Sequence, residues 1–304
     1  MLTVSLTGRD LLRIGDLTPA EAESLLDLAV QLRETPKQPL LPGATLGLYF
    51  AKHSTRTRVS FSAGMAQLGG VAIPLAPGEL QLSRGESLPD TARALSRYID
   101  ALAVRTHEHA ELEAWAEWAS IPVINALTAE EHPCQALADA LTIRDRLGTL
   151  DGVRVAWVGD GSNVLVSLAE LGALLGFDVV AACPAGYEPA CDTLSRAVDP
   201  RDAVTGADVV VTDTWISMGD EHEGVRRLLD LEPYRLDDAL LAHASGAASA
   251  SRDASRRYGS RSCSRRARSC SWPMLIQVSV TTTSAPATAS RGSTARDKLS
   301  QAGS

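Results

Sequence analysis

Short apolar runs of strand length alternate with helical stretches along most of this chain, and that alternation limits the fold more than any other feature. Residues 46–50, 71–75, 101–104, 122–125, 153–158, 178–182 and 208–212 read as strands. Between them, helices are expected from just past Ser54 to Gly69-Gly70, and over 90–98, 108–118, 133–147 and 164–175. Strands separated by helices of this length are joined by crossovers, which gives parallel sheets covered on both faces. The expected class is therefore α/β, with two lobes, each a parallel sheet flanked by helices. A further helix precedes the first strand. Thr18-Pro19-Ala20-Glu21 supplies an N-cap, a proline at the first helical position and a capping-box glutamate, and Leu25, Leu26, Leu28, Ala29 and Leu32 follow as an apolar stripe. The turn Thr149-Leu150-Asp151-Gly152 separates a first domain, 1–148, from a second, 149–246.

The pattern stops near Ala247. Beyond it Ser, Arg, Ala and Thr dominate, no Glu follows Glu232, and Trp272 to Val280 is the one apolar island. Residues 1–243 carry 19 Lys and Arg against 35 Asp and Glu, a net of −16, whereas residues 244–304 carry 10 against 2, a net of +8. Residues 247–304 therefore read as an aberrant low-complexity tail, irregular or disordered, because such a composition buries too little apolar surface to offset its ordering entropy.

Size and charge bound the partners. A chain of 304 residues is long enough for two cores. The net charge of −8 gives no support to a nucleic-acid partner. No apolar run reaches the length of a membrane span, so no membrane partner is expected. Met1 to Leu6 has neither a basic region nor a cleavage pattern, and the five cysteines are scattered. A reducing, cytoplasmic setting is expected.

Three segments carry chemistry. Ser54-Thr55-Arg56-Thr57-Arg58 lies between a strand and a helix. Free backbone N–H groups at a helix start favour an anion, and two hydroxyls with two guanidiniums add donors shaped for phosphate or carboxylate. An ordinary N-capped helix with solvated arginines would show the same five residues. His132-Pro133-Cys134-Gln135 also precedes a helix, and a neutral imidazole beside an amide can hydrogen-bond a carbonyl-type group. A proline-started helix with a histidine at its cap reads identically. Arg105 follows the strand at 101–104, on the edge where parallel sheets bind ligands. Gly159-x-Gly161 hints at dinucleotide binding, but Val164 occupies the third glycine position and the fingerprint fails.

In this order and spacing, Ser-Thr-Arg-Thr-Arg, the strand-ending Arg105-Thr106 and His-Pro-Cys-Gln-x-Leu-Ala-Asp resemble the aspartate/ornithine carbamoyltransferase family, over residues 6–246. The resemblance implies that the first domain binds carbamoyl phosphate through Ser54, Thr55, Arg56, Thr57, Arg105, His132, Pro133, Cys134 and Gln135, with Arg56, Arg105, His132 and Gln135 catalytic. The loop Gln81-Leu82-Ser83-Arg84-Gly85-Glu86 resembles one in which Gln81 reaches the carbamoyl phosphate of a neighbouring subunit, implying a homotrimer with shared sites. Cys134, where the aspartate-specific members usually carry Thr, and Asp213-Thr214-Trp215-Ile216-Ser217-Met218-Gly219 resemble the ornithine-specific members. Asn163, Asp213, Ser217 and Met218 would then hold L-ornithine in the second domain, and the implied reaction gives L-citrulline and phosphate, a step of arginine biosynthesis. A related transferase acting on putrescine or acetylornithine is a further alternative, against which Ser217-Met218-Gly219 favours ornithine. No cofactor is implied, and the Cys and His spacing suggests no metal.

One departure stands out. The family continues with a His-Cys-Leu-Pro segment, a later arginine and a closing helix, and none is recognisable after Gly246. His243 precedes that segment, and Cys263 and Cys270 have the wrong neighbours. A shift of reading frame near Ala247 would produce this break, and a catalytically dead product that still binds carbamoyl phosphate is the alternative reading.

Overall fold

The structure, a computed structural model, describes residues 5–52, 54–215, 224–244 and 280–281. The first lobe is a four-stranded, wholly parallel sheet of β1 (Thr45–Phe50), β2 (Val71–Leu75), β3 (Ala101–Arg105) and β4 (Val123–Leu127), in the order β2-β1-β3-β4. Its helices are α1 (Pro19–Glu34), α2 (Thr55–Gln67), α3 (Leu88–Leu95), α4 (His109–Trp118) and α5 (Pro133–Leu147). On one face Leu112 and Trp115 of α4 and Ala92 of α3 pack on Tyr49, Leu102 and Val104. On the other, Phe61 and Met65 of α2 pack on Leu46, Leu48 and Ala103. Each central strand thus reads as a continuous apolar run because both of its faces are covered.

The second lobe contains β5 (Arg154–Val158), β6 (Asp178–Ala182), β7 (Ser195–Arg196), β8 (Val209–Val211) and β9 (Val280–Thr281), in the order β7-β6-β5-β8-β9. Four of these are parallel, and β9 pairs antiparallel with β8. Its helices are α6 (Asn163–Leu175), α7 (Pro200–Val204), α8 (Gly224–Leu231) and α9 (Asp238–Leu241). α7 and α9 cover one face around Ala156, Val180, Val204 and Leu240. On the other face one core runs through both lobes: Leu26 of α1 and Ile143 of α5 join Leu165 and Leu168 of α6, Trp157 of β5 and Val179 of β6.

In both sheets the strand order reverses once, between β1 and β3 and between β5 and β8. At such a switch point adjacent crossovers leave on opposite faces, and a crevice opens beyond the carboxyl ends of the two strands. Among the described residues, no helix is long and apolar enough to cross a membrane.

The alternation expected from the sequence is present in both lobes, and three short helices and two short strands add to it. α7 spans five residues, too few for periodicity, although Asp199 caps it and Pro200 starts it. The segment read as an aberrant tail contributes β9, at the end of its apolar island. The rest of 247–304 lies outside the described residues.

Candidate active site

The chain leaves β1 at Phe50 and enters α2 through Ser54, whose extended backbone and side chain form an N-cap: Ser54 Oγ accepts the Thr57 N–H at 3.3 Å. Thr57 is buried, while Thr55, Arg56 and Arg58 are exposed. The first turn of a helix presents N–H groups that have no partner within it, with the positive end of the helix dipole behind them. Arg105, the last residue of β3, pairs in register with Phe50 of β1, so it stands at the same switch point. Burial, and then the nearby Arg56 charge, lowers the pKa of Arg105, though a guanidinium stays protonated throughout the physiological range.

His132 caps α5, and Pro133 starts it. Burial, and then the Arg105 charge, pushes the His132 imidazole down to about 3, so it is neutral at physiological pH. His132 Nδ1 and Arg105 Nε are both buried without a hydrogen-bond partner. Gln67, His109, Trp115 and Arg154 also bury an unpaired side-chain atom, but Arg105 and His132 do so beside one crevice, where a single polar ligand can reach both. Gln135 is buried, and its Nε2 donates to Asp139 Oδ1 at 2.8 Å. Cys134 turns inward: its Sγ donates to the Asn125 carbonyl at 3.5 Å, and burial pushes its thiol up to about 12. Leu127, opposite Arg105 at a register shift between β3 and β4, takes φ 154°. This strained residue leads directly into Thr128.

The second lobe faces Thr128. Asn163, the first residue of α6, donates from Nδ2 to the Thr128 carbonyl. Ser162, the cap of α6, donates to Asp213 Oδ2 at 3.3 Å, and Asp213 Oδ1 accepts the Thr214 N–H at 2.7 Å. Asp213 lies just past β8 and Asn163 just past β5, at the second switch point. Burial raises the Asp213 carboxyl, opposed by its hydrogen bonds and by the Arg56 charge. Burial also raises Asp139 well above the usual carboxylate range, and the Asp213 charge adds to it. These influences tie Arg56, Arg105, His132, Asp139 and Asp213 into one electrostatic neighbourhood spanning both lobes. Gly161 is required by packing, since a Cβ there would lie 2.0 Å from the Tyr187 carbonyl.

The structure therefore gathers Ser54 to Thr57, Arg105, His132 to Gln135, Asn163 and Asp213 around the two switch points. Gln81 stands apart, exposed on a single 3-10 turn, Gln81–Arg84. Ser217 and Met218 lie outside the described residues. Sequence reasoning passed over Ser162, a helix-cap signal, and Thr128, whose contacts span too many positions for any local pattern. A cavity of about 340 Å³ beside Asp160, Tyr187 and Arg227 contains none of the expected site residues.

Two family descriptions match the chain in succession. The "Aspartate/ornithine carbamoyltransferase, carbamoyl-P binding domain" covers residues 9–145, and the "Asp/Orn binding domain" of the same family covers residues 151–249. The chain belongs to the aspartate/ornithine carbamoyltransferase family. Membership makes it a carbamoyltransferase, a transferase enzyme. It is 48% identical to the ornithine carbamoyltransferase of Carboxydothermus hydrogenoformans over 261 residues, 80% of this chain and 84% of that protein. It is 49% identical to the ornithine carbamoyltransferase of Thermosynechococcus vestitus over 251 residues, 78% of this chain and 81% of that protein. Among solved structures, the ornithine carbamoyltransferase from Pyrococcus furiosus superposes with a TM-score of 0.76 at 44% identity, covering 80% of this chain and 83% of that one. This carbamoyltransferase therefore shares their two-sheet fold.

Proposed function

We propose that this carbamoyltransferase moves the carbamoyl group of carbamoyl phosphate to the δ-amine of L-ornithine, giving L-citrulline and phosphate. The pair of buried nitrogens without partners, Arg105 Nε and His132 Nδ1, beside the α2 N-terminus carries the reading. The α2 N–H groups, with Ser54, Thr55, Arg56 and Thr57, hold the phosphate. Arg105, His132 and Gln135 grip the carbonyl and stabilise the oxyanion that forms when the amine attacks. Pro133 and Cys134 set the helix start that presents them. Asp213, an anion at the second switch point, suits an ammonium of the acceptor, and Asn163 suits its amino-acid head, with Ser217 and Met218 completing that side. The δ-amine must be neutral to attack, and holding both reactants in one crevice supplies much of the rate. On this reading residues 1–148 bind carbamoyl phosphate and residues 149–246 bind ornithine, in the cytoplasm. Gln81 serves the carbamoyl phosphate of a neighbouring subunit in a homotrimer. Its exposed turn supports this, as do Val59 on α2 and Val71 and Ile73 on edge strand β2, apolar side chains that are 56%, 57% and 42% exposed.

A second reading, carbamoyl-phosphate binding without turnover, is favoured by one observation. The family match ends at residue 249, where the composition turns basic and loses Glu. Residues 247–304 then replace the expected His-Cys-Leu-Pro segment. The test joins calorimetric binding of carbamoyl phosphate to a citrulline assay on the full chain, with putrescine and acetylornithine as competing acceptors. Binding with citrulline supports the first reading, and binding without any product supports the second. Turnover confined to putrescine or acetylornithine reassigns the acceptor, and no binding removes both.

A further inference from the structure

A buried run of polar contacts beside the site has no part in the substrate assignments above. Glu131, directly before His132, is 3% exposed. Its Oε2 accepts the Ile14 N–H at 2.9 Å and the Ser167 hydroxyl at 3.3 Å. Ser167, fully buried on α6, in turn accepts the His132 backbone N–H at 2.9 Å. The Glu131 backbone is pinned as well, its carbonyl accepting the Thr128 N–H at 3.0 Å and its N–H donating to Thr128 Oγ1 at 3.2 Å. No bond at Nδ1 orients the His132 ring, so its placement depends on the backbone that Ser167 holds.

We propose that Glu131 is a positioning residue for His132, acting through Ser167 across the junction between the two lobes. The inference rests on the reading of this site as a carbamoyl-phosphate site. Ser167 has one hydrogen and two lone pairs. When Glu131 takes the hydrogen, a lone pair is left facing the His132 N–H. Without an acceptor at residue 131 the hydroxyl turns freely, and the Ile14 N–H is buried unpaired. Burial raises the Glu131 carboxyl to about 7, so the acceptor strengthens as it ionises. The charged groups that act on it are Glu170 on α6 and Arg13 before α1, and Arg13 is itself paired with Glu113 on α4 and with the adjacent Glu130.

The test compares wild type with Glu131→Ala, Glu131→Gln and Ser167→Ala. Calorimetry measures affinity for carbamoyl phosphate and, separately, for inorganic phosphate. Glu131→Ala and Ser167→Ala should weaken carbamoyl phosphate about tenfold and change inorganic phosphate little, because only the carbonyl grip depends on His132. Glu131→Gln keeps an acceptor and should restore most of the affinity. The His132 backbone amide resonance should move as pH passes 7 in wild type and stay fixed in Glu131→Gln. Equal affinities in all four proteins, or equal losses for both ligands, would overturn the proposal and leave the carbamoyl-phosphate reading standing. A wild type that binds no carbamoyl phosphate would remove that reading. The resonance then decides the rest: a His132 amide that ignores both the pH and the Glu131→Gln change overturns the link between the residues.

Discussion

Single residues at this site are governed by burial more than by pairing. Arg56 is the exposed cation whose charge reaches both Arg105 and Asp213. Arg56→Ala should weaken carbamoyl phosphate by about 2 kcal/mol, the scale of a charge-assisted hydrogen bond, as read by calorimetry. Glu131 shows how burial becomes pH dependence. Its carboxyl rises from 4.5 to about 7 on folding, so the folded state binds a proton that the unfolded state has released. Its stabilising contribution is full below 4.5 and is lost as pH climbs to 7, on the order of 3 kcal/mol in total. Thermal unfolding across that window should show a fall in stability that Glu131→Gln reduces, the remainder coming from the other carboxyls that burial raises, Asp139, Glu170 and Asp213. Ser54 to Arg58, Arg105 and His132 to Gln135 were legible in the sequence because each sits at a strand end or helix start that local patterns mark. The Glu131–Ser167 contact was not, since it joins a turn to a helix 36 positions away and neither residue type is distinctive there.

The elements were read best where their own residues announce an end. α1 begins at the Thr18–Glu21 capping box, with Glu21 N–H bonded to Thr18 Oγ1 at 3.3 Å and Thr18 N–H to Glu21 Oε2 at 2.8 Å. Thr18→Ala should lower global stability by about 1 kcal/mol in denaturant titration. α5 keeps its expected limits because Pro133 opens it and Gly148, left-handed, closes it. α6 adds a packing requirement that no pattern displays. A Cβ on Gly172 would lie 2.5 Å from the Phe177 carbonyl and 3.0 Å from its ring, where the chain turns from α6 into β6. Gly172→Ala should therefore destabilise the fold by roughly 1–3 kcal/mol despite the better helix former, and a rise in melting temperature would contradict the close approach. β7 and β9 could not be read, because two-residue strands have no alternation to detect.

At the scale of the whole molecule, two α/β lobes followed from the alternation of elements, and the position of the crevice followed from the strand ends. A homotrimer would cover the apolar side chains Val59, Val71 and Ile73. Ile73→Glu should then shift the sedimenting species from trimer to monomer, and an unchanged species would place the interface elsewhere. What the sequence concealed is that Leu26 and Ile143, from the first lobe, share a core with Leu168 and Trp157 of the second. Amphipathic periodicity says which face of a helix is buried but not against what. This shared interior makes the chain a poor subject for recombination by halves. A crossover placed at the turn near residue 150 would marry α1 and α5 from one parent to the sheet of another, and chimeras cut there should aggregate unless the donor's residues on both sides of the seam travel together.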